Sequence, residues 1–209
     1  MSGRLVSAAS RVRLGVVASV AAVVVAVGGV RYAGAGGPGV VDARIQSAVY
    51  GVGQPWRGVA LVLDFLGEPV GSTLLVVAVV IGCLLGRRPR GAVLVVAGVG
   101  LTVGTATVLK HVVGRTIHGD GNLSYPSGHT AFFTALALAV ALAAPRHRGP
   151  LVLGGAAVAA GAAMGWAQVA LGAHYPTDVL GGWCTALVVV PVTAWSVDRV
   201  AESAWLESR

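Results

Sequence analysis

The chain has 209 residues, of which 56% are hydrophobic and only 11% charged, and its net charge is +7. A soluble domain of this size needs more charge to cover its surface, so the composition indicates a membrane-embedded protein. The basic residues lie mainly in short loops and are not interleaved with aromatic residues, which argues against nucleic-acid binding. Cys83 and Cys184 both lie in apolar runs, where a lone thiol behaves as a small hydrophobe and not as part of a disulfide framework or metal site.

Apolar segments of membrane-spanning length set the predicted architecture. A hydrocarbon core of about 30 Å needs roughly 20 helical residues. This rule predicts an all-α, polytopic membrane protein, a bundle of six transmembrane helices at 14–34, 68–86, 91–112, 129–144, 150–172 and 177–197. We expect one membrane-embedded domain over 1–209, with its core at 60–197. No convincing cleavage site follows the first apolar run, so 1–34 is predicted to be a retained anchor helix.

The segment 35–67, between the first two predicted spans, opens with a glycine-rich loop. It continues with Val41 and Ile45 on one helical face and Asp42 and Arg44 on the other. That pattern is typical of a helix lying in the membrane interface. Residues 59–66 are interpreted as an extension of the second span.

The distribution of Lys and Arg predicts the orientation of the bundle. With a cytoplasmic N-terminus, ten basic residues face the cytoplasm and five face outside. The cytoplasmic group comprises Arg4, Arg11, Arg13, Arg87, Arg88, Arg90, Arg146, Arg148, Arg199 and Arg209, and the outer group comprises Arg31, Arg44, Arg57, Lys110 and Arg115. The positive-inside rule therefore predicts a multi-pass plasma-membrane protein with both termini cytoplasmic and its polar turns outside.

Three polar clusters fall on the predicted outer face, at 110–118, 124–130 and 174–178. Ionisable residues at the membrane edge are costly, so each cluster is a candidate site. The second cluster combines His129 with small hydroxyl residues and Gly128 where an apolar helix begins. Its backbone N–H groups and helix dipole favour an anion such as phosphate. The same residues also suit an ordinary helix start, with Ser127 as the cap.

His174 and Asp178 are four residues apart. On a helix they lie about 40° apart on one face, so the carboxylate can accept a hydrogen bond from the imidazole. Such a pair fixes the tautomer and leaves the other ring nitrogen free to attack an electrophile. The same spacing is also a common structural cap.

Taken in order, Lys110 with Arg115, Pro126-Ser127-Gly128-His129 and 171–178 resemble the three signatures of the type 2 phosphatidic acid phosphatase family. The resemblance covers roughly 60–197. It implies that His174 is a nucleophile forming a phosphohistidine, that Asp178 orients it, and that His129 is the general acid. It implies phosphate binding by Lys110, Arg115, Ser127 and Gly128, with His118 and Gln168 as further candidates. It implies no metal and no cofactor.

Two positions depart from the family pattern. The family has an arginine seven residues after the lysine and another six residues before the last histidine, but here these are Ile117 and Gln168. Arg115 can serve in place of the first only if the helix breaks, which Gly114 permits. His118, when protonated, can replace one of the missing charges.

Two functions are consistent with these residues. The first is a membrane phosphatase that hydrolyses a lipid-linked phosphomonoester or diphosphate, isoprenoid or glycerolipid, at the outer face. The second is a catalytically impaired, phosphatase-like protein that binds lipid phosphates or assists another membrane protein. A metal-binding or transport role through His118, His129 and His174 has no close-spaced ligand pair to support it. The sequence leaves the lipid and the oligomeric state open.

Overall fold

The computed structural model describes residues 4–119, 121–144 and 150–207. Its helices are α1 (Ala8–Arg31), α2 (Val40–Val49), α3 (Trp56–Gly67), α4 (Pro69–Leu85), α5 (Pro89–Val113), α6 (Gly128–Ala143), α7 (Pro150–Ala170) and α8 (Pro176–Glu207). The β-structure within these ranges is one isolated bridge between Thr116 and Leu123. The predicted all-α class is therefore confirmed.

Four helices are long and apolar enough to cross a membrane, in α1, α5, α7 and α8. The α3–α4 pair counts as a fifth if it is one broken span, although its two helices are bent by 70°. Helix α6 has 16 residues, which at 1.5 Å per residue is about 24 Å. A multi-pass membrane protein is thus confirmed, and the count of six spans stays a prediction. Arg146, Arg148 and Arg209, used to predict orientation, lie outside the described residues.

Residues 59–66 do not continue the helix of the second span without a break, because they belong to α3, which is bent by 70° against α4. Glu68 ends α3 with an extended backbone, at φ −68° and ψ 159°, and Pro69 then begins α4. A residue before proline is disfavoured in the helical region, which explains the break. The bend brings the carboxyl end of α3 towards the start of α6, where a Cβ on Gly67 would overlap the His129 ring.

The apolar core lies between α5, α6 and α8. It includes Leu94 and Val95 of α5, Ala135 of α6 and Val190 of α8, each fully buried. The outer surface is also apolar: Val16, Val20 and Val27 of α1 are 60%, 60% and 62% exposed. An apolar exterior around a small-residue interior is the arrangement that a helix bundle adopts in lipid.

Polar contacts collect at the two ends of the bundle. At one end, the buried Asp198 carboxylate accepts hydrogen bonds from the backbone N–H groups of Leu5 and Val6, both at 3.0 Å. The other end holds the last turns of α5 and α7 and the first turns of α6 and α8. All three polar clusters predicted from the sequence lie at this second end.

The turn before α6 packs closely on α8. The Ser127 N–H donates to the Asp178 carbonyl at 2.9 Å. A Cβ on Gly181 would overlap the Tyr125 ring, and a Cβ on Gly182 would overlap the Ser127 carbonyl. These two glycines therefore allow the second and third polar clusters to meet.

We predict that Gly182→Ala lowers the stability of the protein by about 1–3 kcal/mol, the usual cost of overpacking. The matched control is Gly100→Ala in α5, where an added Cβ meets no atom within 4 Å. Thermal unfolding in detergent should show a lower midpoint for Gly182→Ala and no loss for Gly100→Ala. Equal midpoints for the two variants would contradict the close approach of turn and helix.

Candidate active site

Lys110 and Arg115 are separated by the end of α5. The helix ends at Val113, and Gly114 has the left-handed backbone of a C-cap, at φ 65° and ψ 20°. The predicted break is therefore confirmed. The chain then folds back on itself, with the Ser124 N–H donating to the Arg115 carbonyl at 2.8 Å. Lys110 Nζ donates to the Leu123 carbonyl at 2.8 Å and so holds this loop against α5.

The second cluster forms the start of α6. Ser127 is the N-cap, and its Oγ accepts a hydrogen bond from the Thr130 N–H at 3.4 Å. Gly128 and His129 occupy the first turn, where backbone N–H groups have no acceptor within the helix. The stretch is thus a capped helix start, as one interpretation predicted. It also presents the positive end of a helix dipole to the site, as the other requires.

His174 lies in the turn between α7 and α8, because α8 begins only at Pro176. The expectation that it shares a helix face with Asp178 is therefore wrong, yet the turn still brings the two together. His174 Nδ1 lies 3.8 Å from Asp178 Oδ2. This is longer than a hydrogen bond, and the buried Nδ1 has no hydrogen-bond partner. Such contacts commonly tighten when substrate binds.

Residues of all three clusters act on His174. Burial lowers the pKa of His174 below its usual value; Asp178 opposes this shift, and the charges of Lys110 and His129 add to it. One residue from each cluster thus contributes to the electrostatic environment of His174. A lowered pKa keeps the imidazole neutral, and hence nucleophilic, to a lower pH.

Arg115 is fully buried and paired with two carboxylates. Nη1 lies 2.6 Å from Asp178 Oδ1 and Nη2 lies 2.6 Å from Asp42 Oδ2. The rings of Tyr32 and Tyr175 lie 3.9 and 4.4 Å from the guanidinium carbon. Arg115 thus pairs with two carboxylates, and the phosphate contact that the resemblance implies stays a prediction.

Ile117 and His118 follow Thr116 at the position where the family pattern has an arginine. Ile117 is buried in the loop at 2% exposure. His118 Nε2 lies 2.7 Å from the Gly172 carbonyl, to which it donates, since a carbonyl only accepts. His118 thereby ties the loop after α5 to the turn before α8.

Gln168, in the second missing arginine position, is also buried. Its Nε2 donates to Asp64 Oδ1 of α3 at 2.8 Å. Asp64 Oδ1 and Glu68 Oε1 each lie 3.6 Å from His129 Nε2. This side of the site is therefore acidic where the family pattern places a cation.

Asp42, Asp64 and Glu68 were not among the residues predicted from the sequence. Each is an acidic residue in or beside an apolar segment, the same signal that pointed to the histidines. The sequence pattern instead places Asp42 on the polar face of an interfacial helix. The structure buries Asp42 completely and leaves Val41 56% exposed.

One group of described residues has the composition and spacing of a metal site. Asp64, Glu68 and His129 each offer one ligand atom, and these atoms lie within 4.8 Å of one another. Carboxylate oxygens and imidazole nitrogens are common ligands of divalent metals. Glu68 is exposed and Asp64 and His129 are partly exposed.

Comparison with known proteins identifies the fold. The family model of the PAP2 superfamily matches residues 91–201, which include all three clusters. No curated protein matches the chain. The chain is similar to a solved structure described as the first transmembrane PAP2 type phosphatidylglycerolphosphate phosphatase from Bacillus subtilis. The TM-score is 0.60 at 23% identity, over 78% of this chain and 85% of that one. With its three clusters gathered at one end of a membrane helix bundle, the chain belongs to the PAP2 superfamily.

Proposed function

We propose that this protein is a membrane lipid phosphatase that hydrolyses a lipid-linked phosphomonoester or diphosphate through a phosphohistidine. The meeting of the three clusters at Asp178, which contacts Arg115, Ser127 and His174, is the observation that carries the proposal. Phosphoryl transfer depends mainly on positioning and charge stabilisation, which such a group supplies. The family and the PAP2-type phosphatase relative support the same activity.

His174 is the nucleophile in this mechanism. Its Nδ1 faces Asp178, which leaves Nε2 to attack phosphorus. As the nitrogen–phosphorus bond forms, the bond from the terminal phosphorus to the oxygen on its lipid side breaks. His129 gives a proton to that departing oxygen, which leaves on the lipid alcohol or the lipid monophosphate. Water then attacks the phosphohistidine and loses its proton to His129, so that inorganic phosphate leaves and His174 is regenerated.

Lys110, Ser127 and the Gly128 N–H bind the phosphoryl oxygens during both steps. An ammonium has three N–H donors, and the contact with the Leu123 carbonyl uses one of those on Lys110. The remaining donors are available to the substrate. The N–H groups at the start of α6 add partial positive charge without a side chain.

We place the site on the external face of the plasma membrane. Arg87, Arg88 and Arg90 lie at the end of the bundle that holds Asp198, opposite the candidate site. The positive-inside rule assigns that end to the cytoplasm, together with both termini. A lipid phosphate in the outer leaflet then reaches His174 from the membrane boundary.

Replacing His174 by alanine is expected to abolish phosphate release, because the nucleophile is lost. His129→Ala should slow release roughly 10²- to 10⁴-fold, the usual contribution of a general acid. The matched control, His111→Ala, removes an exposed histidine of α5 and should retain activity. Phosphate release would be measured from polyprenyl diphosphate, phosphatidylglycerophosphate and phosphatidic acid. Equal rates in wild type and His174→Ala would exclude the phosphohistidine mechanism.

The proposed steps use protein groups and water, and we propose that hydrolysis is metal-independent. EDTA should therefore leave the rate of phosphate release unchanged. Loss of activity in EDTA, restored by a divalent ion in wild type but not in Asp64→Asn, would instead assign a metal to the Asp64–Glu68–His129 group.

The alternative function, lipid-phosphate binding without turnover, is favoured by the absence of two family arginines. Gln168→Arg tests their importance. A guanidinium at this position adds a charged donor beside the phosphoryl site, so vanadate, a mimic of the five-coordinate phosphoryl group, should inhibit about tenfold more strongly. Gln168→Glu is the control of opposite charge and should weaken inhibition. Vanadate binding to a wild type that releases no phosphate from any of these lipids would support the alternative function.

A further inference from the structure

Asp42 belongs to none of the three clusters, yet its carboxylate is buried in the ion network behind His174. Oδ2 accepts from Arg115 Nη2 at 2.6 Å and from Thr177 Oγ1 at 3.0 Å. Oδ1 accepts from the Thr177 N–H at 2.9 Å. Burial alone would raise the pKa of Asp42, but hydrogen bonds led by that from Arg115 outweigh it and lower the pKa. The Asp42 carboxylate is therefore ionised.

The guanidinium of Arg115 is divided between two carboxylates. Arginine commonly binds one carboxylate through two parallel N–H···O bonds. Here Arg115 Nη2 donates to Asp42 Oδ2, and Nη1 donates to Asp178 Oδ1. Asp178 therefore uses only one of its oxygens for Arg115. Asp178 Oδ2 remains on the other side, where it accepts from the Tyr175 N–H at 3.0 Å and faces His174 Nδ1.

The segment that carries Asp42 is itself fixed to the loop after α5. The Gly34 N–H donates to the Val113 carbonyl at 2.8 Å and the Thr116 N–H donates to the Ala35 carbonyl at 2.9 Å. Asp42 Oδ2 also accepts from the Gly39 N–H at 3.0 Å and so holds the start of α2. The position of Asp42 is thus determined by backbone contacts as well as by its own charge.

We propose that Asp42 is a positioning residue, which holds one arm of Arg115 and the start of α8 so that Asp178 keeps its second oxygen for His174. This role rests on the proposed phosphatase function. Without the Asp42 charge, Arg115 is free to bind Asp178 through both arms and to draw Oδ2 away from His174.

Asp42→Asn is the direct test, because asparagine keeps the size of the side chain and removes its charge. We expect kcat to fall roughly 10- to 100-fold, as for the loss of an outer partner of a functional histidine. KM should change little, because Asp42 does not contact the substrate in this mechanism. Asp42→Glu, which restores the charge, should recover part of the activity.

The titration of His174 separates positioning from a merely structural role. The groups that act on His174 are Asp178 of α8, Lys110 of α5 and His129 of α6, with Arg115 behind Asp178. Removing the negative charge of Asp42 makes this surrounding more positive and disfavours the imidazolium. The midpoint of His174, followed by NMR of isotopically labelled histidine and assigned with His174→Gln, should move to lower pH in Asp42→Asn. The acid limb of kcat/KM should move with it.

Asp198→Asn is the matched control, since Asp198 is also a buried carboxylate but lies at the opposite end of the bundle. Asp198→Asn should lower the thermal midpoint without shifting the His174 titration.

If Asp42→Asn does not fold, Thr177→Val is the second test. It removes a hydroxyl that contacts both Asp42 and Arg115 and leaves both charges in place. It should lower kcat by a smaller factor than Asp42→Asn is expected to do.

An unchanged kcat and an unchanged His174 titration in Asp42→Asn, or in Thr177→Val where only that variant folds, would overturn the proposal. Equal shifts of the titration in Asp42→Asn and Asp198→Asn would also overturn it. Failure of the proposed function gives a different result, in which wild type releases no phosphate from any lipid tested. The NMR titration then still decides whether Asp42 acts on His174.

Discussion

The burial of one guanidinium between two carboxylates organises the candidate site. Arg115, Asp42 and Asp178 have no exposed surface, and they come from three segments far apart in the sequence. Removing one partner from such a set leaves an uncompensated buried charge, which typically costs about 3–5 kcal/mol. The loop after α5, the start of α2 and the start of α8 therefore depend on one another. The turn that carries His174 is held by the same contacts.

This network also bears on the electrostatics of the proposed phosphate site. Arg115 lies two residues before the position of the family's missing arginine, but its charge is compensated by two carboxylates. Gln168 is neutral and bonded to Asp64. Lys110 then supplies a positive charge to the proposed phosphoryl site, and the N–H groups at the start of α6 add partial positive charge. Stabilisation of the transition state by fixed dipoles at a helix start then becomes correspondingly important.

Beside its apolar core, the structure buries several polar and charged residues and exposes many apolar ones, as a lipid environment favours. Helix α2 shows this most clearly, because Asp42 points into the protein while Val40 and Val41 are exposed. An amphipathic pattern alone does not say which face is buried. In water the apolar face turns inward, whereas beside lipid a charged residue is stable only where other protein groups bind it.

The order and approximate limits of the helices followed from the sequence, because each long apolar run must satisfy its backbone hydrogen bonds internally and has few other structures available in lipid. The break after Val113 followed from Gly114, and the cap at Ser127 from its hydroxyl. The spacing of the three clusters indicated the family and identified His129, His174 and Asp178 as candidates.

The partners of Arg115 did not follow from the sequence, because its two carboxylates are 73 and 63 residues away along the chain. The contact of Gln168 with Asp64 and the inward position of Asp42 were likewise decided by tertiary packing. Sequence periodicity describes one helix at a time, whereas a buried charge takes whichever partner the fold brings within hydrogen-bonding distance.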